Sequence, residues 1–185
     1  MNQRLCGVSR TLTRLLLTVG IVLFSARLYA LESSVKAAFL YKFAGFVEWP
    51  AGVFQAPESP IVIAVIGDDA VAENLSVMVI GRSAQGRSIA VRRLAPKQSV
   101  AGAHMLFVGK DAAESVESVT GRLESQPVLL VTDSAGALEH GSMINFVLVD
   151  NRLRFEIALD TAERHGLKLS SRLLDVALEV RREAP

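Results

Sequence analysis

The residues best placed to do chemistry are Asp68, Asp69 and Asp133. They follow two apolar runs, IVIAVIG (61–67) and PVLLVT (127–132). In open α/β sheets ligands gather at the carboxyl ends of strands, so these carboxylates form a candidate small-ligand pocket. Helix capping accounts equally well for Asp68 and Asp69, and turn formation for Asp133. The histidines, His104, His140 and His165, sit at a strand start, in a Gly-flanked loop and at the close of a short helix. A metal site or catalytic triad needs at least two of them to converge, and no spacing brings two together. Arg82 and Arg87, in the loop GRSAQGR (81–87), could hold an anion or simply be solvated. Asn145 is the one amide in an otherwise apolar strand, where a side-chain hydrogen bond to a neighbouring loop is the default role. Phosphate-loop, dinucleotide and zinc-protease patterns are absent, as is a Gly-x-Ser-x-Gly elbow. The expectation is no catalytic residue, no cofactor and no metal.

The elements that would position these residues alternate. Ser33 or Ser34 can cap a helix over 33–47, whose stripe carries Val35, Phe39, Phe43 and Phe46. Lys36 and Lys42, with Tyr41, form its polar strip, and Pro50 ends it. Trp49 beside that proline either anchors the helix end or faces a partner. Phe39, Phe43, Phe46 and Trp49 together make the candidate partner surface, since exposed aromatics mark such patches. A buried strand (61–67), a weak helix (69–79), a strand (88–94) and a second buried strand (104–109) follow. Asp111 and Glu114 suggest a helix over 111–124, and Pro127 opens another strand. SMINFVLV, Asp150-Asn151 and RLRFEIAL read as a β-hairpin in which Ile144, Phe146 and Leu148 face Leu153, Phe155 and Ile157. Asp160 with Glu163 marks another helix start, and a last helix is expected over 170–182. The fold class is therefore α/β: one three-layer-like domain, a mixed sheet of about six strands flanked by helices, with a C-terminal hairpin followed by a helix.

The N-terminus has the pattern of an export signal. Arg4, Arg10 and Arg14 precede LLLTVGIVLFS (15–25), a stretch of about a dozen apolar residues, too short to span a bilayer unaided. Leu28-Tyr29-Ala30 offers cleavage after Ala30, which divides the chain into a signal peptide, 1–30, and one domain, 31–185. Cleavage removes Arg4, Arg10, Arg14 and Arg27 and no acid, leaving 16 basic against 19 acidic residues, a net charge of −3. A faintly acidic domain without a basic run has no footprint for nucleic acid or anionic lipid. Cys6, the single cysteine, lies within the signal, so the exported chain would hold no disulfide, and no lipobox marks a lipid anchor.

VKAAFLYKFAGFVEWP (35–50), GDD (67–69), HMLFVG (104–109), PVLLVTD (127–133), GSMINFVLVDNRLRFEI (141–157) and LKLSSRLLDVA (167–177) occur in that order. Together they resemble the YfiR/HmsC-like family of periplasmic proteins, from about Glu32 to the end of the chain. The resemblance implies a periplasmic regulator and no enzyme. Such a protein binds the periplasmic sensor domain of a membrane-anchored diguanylate cyclase and represses cyclic-di-GMP synthesis, and so biofilm formation. It also implies a homodimer, as in the better-known members. Disulfide control, which some members use, has no cysteine here. A periplasmic small-molecule-binding protein without a cyclase partner is the alternative.

Overall fold

The apolar, β-branched segments become the centre of a sheet because only there are both of their faces covered. The structure, a computed structural model, describes residues 30–123 and 126–182, so the export signal expected over 1–30 lies outside the described residues apart from Ala30. Helix α1 (30–43) leads into the short strand β1 (Val47–Glu48). There follow β2 (Ile61–Ile66), α2 (Asp69–Met78), β3 (Ser83–Ala84), β4 (Arg87–Arg93) and β5 (Met105–Val108). Then come α3 (Val116–Leu123), β6 (Leu129–Thr132), a 3₁₀ turn (Ala137–His140), β7 (Ile144–Val149) and β8 (Arg152–Ala158). The chain closes with α4 (Leu159–Arg164), β9 (Lys168–Leu169), α5 (Ser171–Leu174) and β10 (Glu179–Arg181).

Eight strands form one mixed sheet in the order β10-β8-β7-β6-β5-β2-β4-β3, and β1 pairs antiparallel with β9. Five central strands, β4-β2-β5-β6-β7, are parallel. Alternation along them sorts two cores. Ile63, Val65, Met105, Phe107, Leu129 and Val131 face α1, α2, α4 and α5. Ala64, Ile66, Leu106, Val108 and Leu130 face Val116, Val119 and Leu123 of α3. The layered α/β class holds, with eight strands where about six were expected.

The hairpin has the expected register: Ile144 opposite Ile157, Phe146 opposite Phe155, Leu148 opposite Leu153. Its turn residues, Asp150 and Asn151, both have positive φ (48° and 58°), the turn whose twist matches that of paired strands. Asp68 caps α2 as expected, its carboxylate accepting from the Val71 N–H at 3.0 Å.

Three helices differ from expectation. The helix expected over 33–47 instead spans 30–43, so Ser33 lies within it and donates back to the Ala30 carbonyl. Its end tightens through a Gly45 N–H bond to Lys42, and Val47–Glu48 is taken by pairing with β9. The helix expected from Asp111 starts at Val116 because Glu114 is engaged by the Lys97 N–H and the Arg122 guanidinium. The long terminal helix expected over 170–182 is four residues, α5, followed by a strand. Leu178-Glu179-Val180-Arg181 alternates apolar and charged, and β8 offers an unpaired outer edge. Pairing with that edge satisfies more backbone groups than further turns of a solvated helix.

The order of the parallel strands creates a switch point between β2 and β5, the usual place for a ligand crevice. Here backbone fills it. A Cβ on Gly67 (φ +73°) would lie 2.5 Å from Ala112 Cα, and one on Gly109 would lie 2.8 Å from the Gly67 carbonyl oxygen. Gly109→Ala should therefore lower unfolding stability by about 2–4 kcal/mol, and Gly67→Ala by at least as much because it adds φ strain. Urea unfolding of the purified variants measures this; a loss under about 0.5 kcal/mol would mean that the loops separate easily.

Candidate docking surface and the buried ion pair beneath it

Helical spacing puts Phe39 and Phe43 on the side of α1 that meets the hairpin, and Phe46 follows in the turn after the helix. Phe43 is 1% exposed, its ring centroid 5.0 Å from Phe155 and 5.9 Å from Phe146. Phe39 joins the same cluster, 5.5 Å from Phe155 and 5.8 Å from Phe146. Phe39 and Phe46 remain half-buried, because little lies over them on the outer side. Between α1 and α5 they line a groove of about 430 Å³ whose floor includes Phe155 and Leu173 and whose wall is Val176, 58% exposed. Lys42 and Arg172 stand at its rim. Beyond it the hairpin continues the same apolar face through Leu153 to Leu148, which is 61% exposed.

Of the four aromatics proposed from sequence, the groove gathers Phe39, Phe43 and Phe46. Trp49 lines a separate depression with Phe54 and Arg87. Its indole N–H donates to the His104 carbonyl at 3.1 Å, which anchors the chain leaving α1. Arg172, Leu173 and Val176 were missed as site residues because their segment reads as one uniform helix.

A buried ion pair holds the other end of α1. Lys36, assigned to a polar strip by spacing, is in fact 2% exposed. Its ammonium lies 2.6 Å from Asp133 at the carboxyl end of β6 and 2.6 Å from Glu32 one turn away. Burial alone would lower the lysine pKa, but the bonds to the two carboxylates outweigh it and hold the group above its ordinary value. Burial pushes the Asp133 carboxyl up, and Lys36 offsets this only in part. Asp133 Oδ1 is buried without a hydrogen-bond partner. Of the three carboxylates singled out in the sequence, Asp133 thus pins a helix, Asp68 caps one, and Asp69 is an exposed first-turn residue of α2.

His104 sits in a stack. Phe54 lies over its ring at 4.4 Å, and the Arg87 guanidinium lies 3.9 Å from the centre of the Phe54 ring. His104 Nδ1 accepts from the Val62 N–H at 3.0 Å, which requires that nitrogen to be unprotonated. Burial, then the charge of Arg87, hold the imidazole below its ordinary value of 6.5. Arg87 is no anion site: it donates to the carbonyls of Ala56, Pro57 and Ser59 and clamps the 50–60 loop. Arg82 lies over the Tyr41 ring at 5.6 Å. His140 contacts Glu117 at 2.7 Å and His165 contacts the Thr161 carbonyl at 3.1 Å, each within its own neighbourhood. Among the described residues no group of three His, Cys, Asp or Glu side chains could hold a metal ion. Asn145 is buried and accepts from the Thr132 hydroxyl at 2.8 Å, tying β7 to β6.

Two measurements test this arrangement. Lys36→Ala leaves Asp133 buried and unpaired and should cost about 3–5 kcal/mol, while Lys36→Met combined with Asp133→Leu should recover most of that loss. Equal unfolding midpoints for the single and double variants would show that the pair is solvated. A histidine whose folded pKa is depressed adds stability that is complete above its unfolded pKa and is lost as pH falls, since the unfolded chain takes up the proton first. The unfolding midpoint should therefore decline as pH falls below 6.5. His104→Asn, which keeps an acceptor for Val62, should flatten that decline; an unchanged slope would assign it to other groups.

A protein-family comparison adds the context that geometry alone does not carry. The model described as YfiR/HmsC-like matches residues 33–178, which include most of α1, the five central parallel strands, the hairpin and α5. A search of curated proteins found no match. No helix among the described residues is long and apolar enough to cross a membrane. With most of its length matched, and with the motifs of α1 and the hairpin building one surface, the chain belongs to the YfiR/HmsC-like family.

Proposed function

We propose that this protein is a periplasmic negative regulator that binds the periplasmic sensor domain of a membrane-anchored diguanylate cyclase and holds the enzyme inactive. The observation that carries the reading is the apolar groove left open between α1 and α5 of this chain, which belongs to a family described as YfiR/HmsC-like. The groove continues into an exposed hairpin face, and an extended apolar surface of this kind marks a protein contact. In this reading the protein forms and breaks no covalent bond. It acts by binding one conformation of the sensor domain more tightly than the other, which displaces the equilibrium of the whole cyclase.

The magnitudes are adequate for that task. Moving a two-state equilibrium from almost fully active to almost fully inactive takes a differential affinity of about 5.5 kcal/mol. Burying two or three large apolar side chains, at about 1.5–3 kcal/mol each, supplies energy of that order before the costs of association. Only contacts present in one sensor conformation count toward the difference.

Val176→Asp places a charge in the groove wall without touching the core, and Phe46→Asp does so beside α1. Each should release the cyclase and raise cellular cyclic-di-GMP several-fold while the variant stays folded and exported. Unchanged cyclic-di-GMP in both strains would remove this surface from the mechanism. Trp49→Asp should instead lower the thermal midpoint, because Trp49 anchors the backbone at His104.

A further inference from the structure

The rim of the groove says what kind of segment would enter it. Its lining contains two cations, Lys42 and Arg172, and no acidic residue. Both are exposed, and neither forms an ion pair among the described residues. Arg122, held by Glu114, and Arg181, held by Glu139, Glu156 and Glu179, contrast with them, as does Arg87, spent on loop carbonyls. Arg93, Arg152, Arg154 and Lys168 are also exposed without an ion pair among the described residues, but Lys42 and Arg172 stand at the mouth of an apolar trough. The remainder of the exported chain is net acidic, which disfavours an acidic partner wherever no local positive charge offsets it, as the rim does here.

We infer that the occupant is an amphipathic segment of the partner that sets aliphatic or aromatic side chains between Phe39, Phe46 and Val176 and carboxylates against Lys42 and Arg172. This deepens the docking reading above and rests on it. An amphipathic helix laid in a groove reads as anchors spaced three and four residues apart, and flanking carboxylates fix its direction and register. The apolar anchors give residence time; the charges steer approach and reject basic alternatives. A phosphate backbone is a poor fit, since two cations astride a hydrophobic floor offer no continuous basic track.

The test uses the exported chain and the purified periplasmic domains of the membrane-anchored diguanylate cyclases encoded in the same genome. Binding kinetics are measured for the wild type, the Lys42→Gln/Arg172→Gln variant, the Lys42→Glu/Arg172→Glu variant and Val176→Asp. Charge reversal at both positions should weaken binding by about tenfold or more, chiefly through slower association, and the gap should close between about 50 mM and about 500 mM salt. The neutral variant should fall between, with thermal midpoints unchanged because both side chains are exposed. If the wild type binds and Val176→Asp does not, but both rim variants bind equally well at every salt concentration, the acidic-segment inference is overturned and the docking reading stands. Tighter binding by the reversed variant would likewise overturn it, in favour of a basic segment. A wild type that binds none of the cyclase domains overturns both.

Discussion

The seating of α1 on the β7–β8 hairpin is the constraint from which the rest of this molecule follows. Phe43 is clasped by Phe146 and Phe155, one ring from each strand, so helix and hairpin cannot move independently. Removing a buried phenylalanine from such a site costs about 3–5 kcal/mol, a large share of the stability of a domain this size. At the other end of the helix, Lys36 is bonded to Asp133 on β6. Hydrophobic packing supplies the energy of the contact, and the ion pair defines where along the sheet the helix stops. A buried pair of this kind is weak evidence for net stability, because the cost of taking both charges out of water offsets much of their attraction.

That seating leaves a remainder. Phe39 lies one turn before Phe43 on α1 and Phe46 follows in the turn after it, each half-buried, while Leu153 continues the hairpin outward. Nothing large covers them, because α5 is one turn and β10 reaches only as far as Glu156. The groove is therefore what α5, a single turn, leaves open beside α1 and the hairpin. Phe43 and Phe155 belong both to the core and to the lining of the opening, so the groove is built directly on the packed interior.

The parallel strands have the order that often creates a ligand crevice, yet the crevice is closed by Gly67 and Gly109 in close approach. Polar groups at the strand ends cap or pin helices. With the switch point filled, the docking proposed above rests on the apolar groove of the α1 face. Fold class alone would have pointed to the strand ends, and here site geometry has to carry the functional argument.

Much was legible from local pattern. Period-two alternation in SMINFVLV and RLRFEIAL, with Asp-Asn between them, determined the hairpin and its register, because each residue's face depends only on its neighbours. The Asp68 cap and the apolar run at 61–66 are local for the same reason. What the tertiary structure alone decided is non-local. Lys36 and Asp133 are 97 residues apart, and no periodicity reveals that a lysine placed on a polar strip will be buried against a carboxylate. Residues 179–181 became a strand only because β8 had a free edge to offer, and the groove exists only because α1 and α5 converge on Phe155. Local sequence sets which face a side chain takes; which partner meets that face is settled by the packing of distant segments.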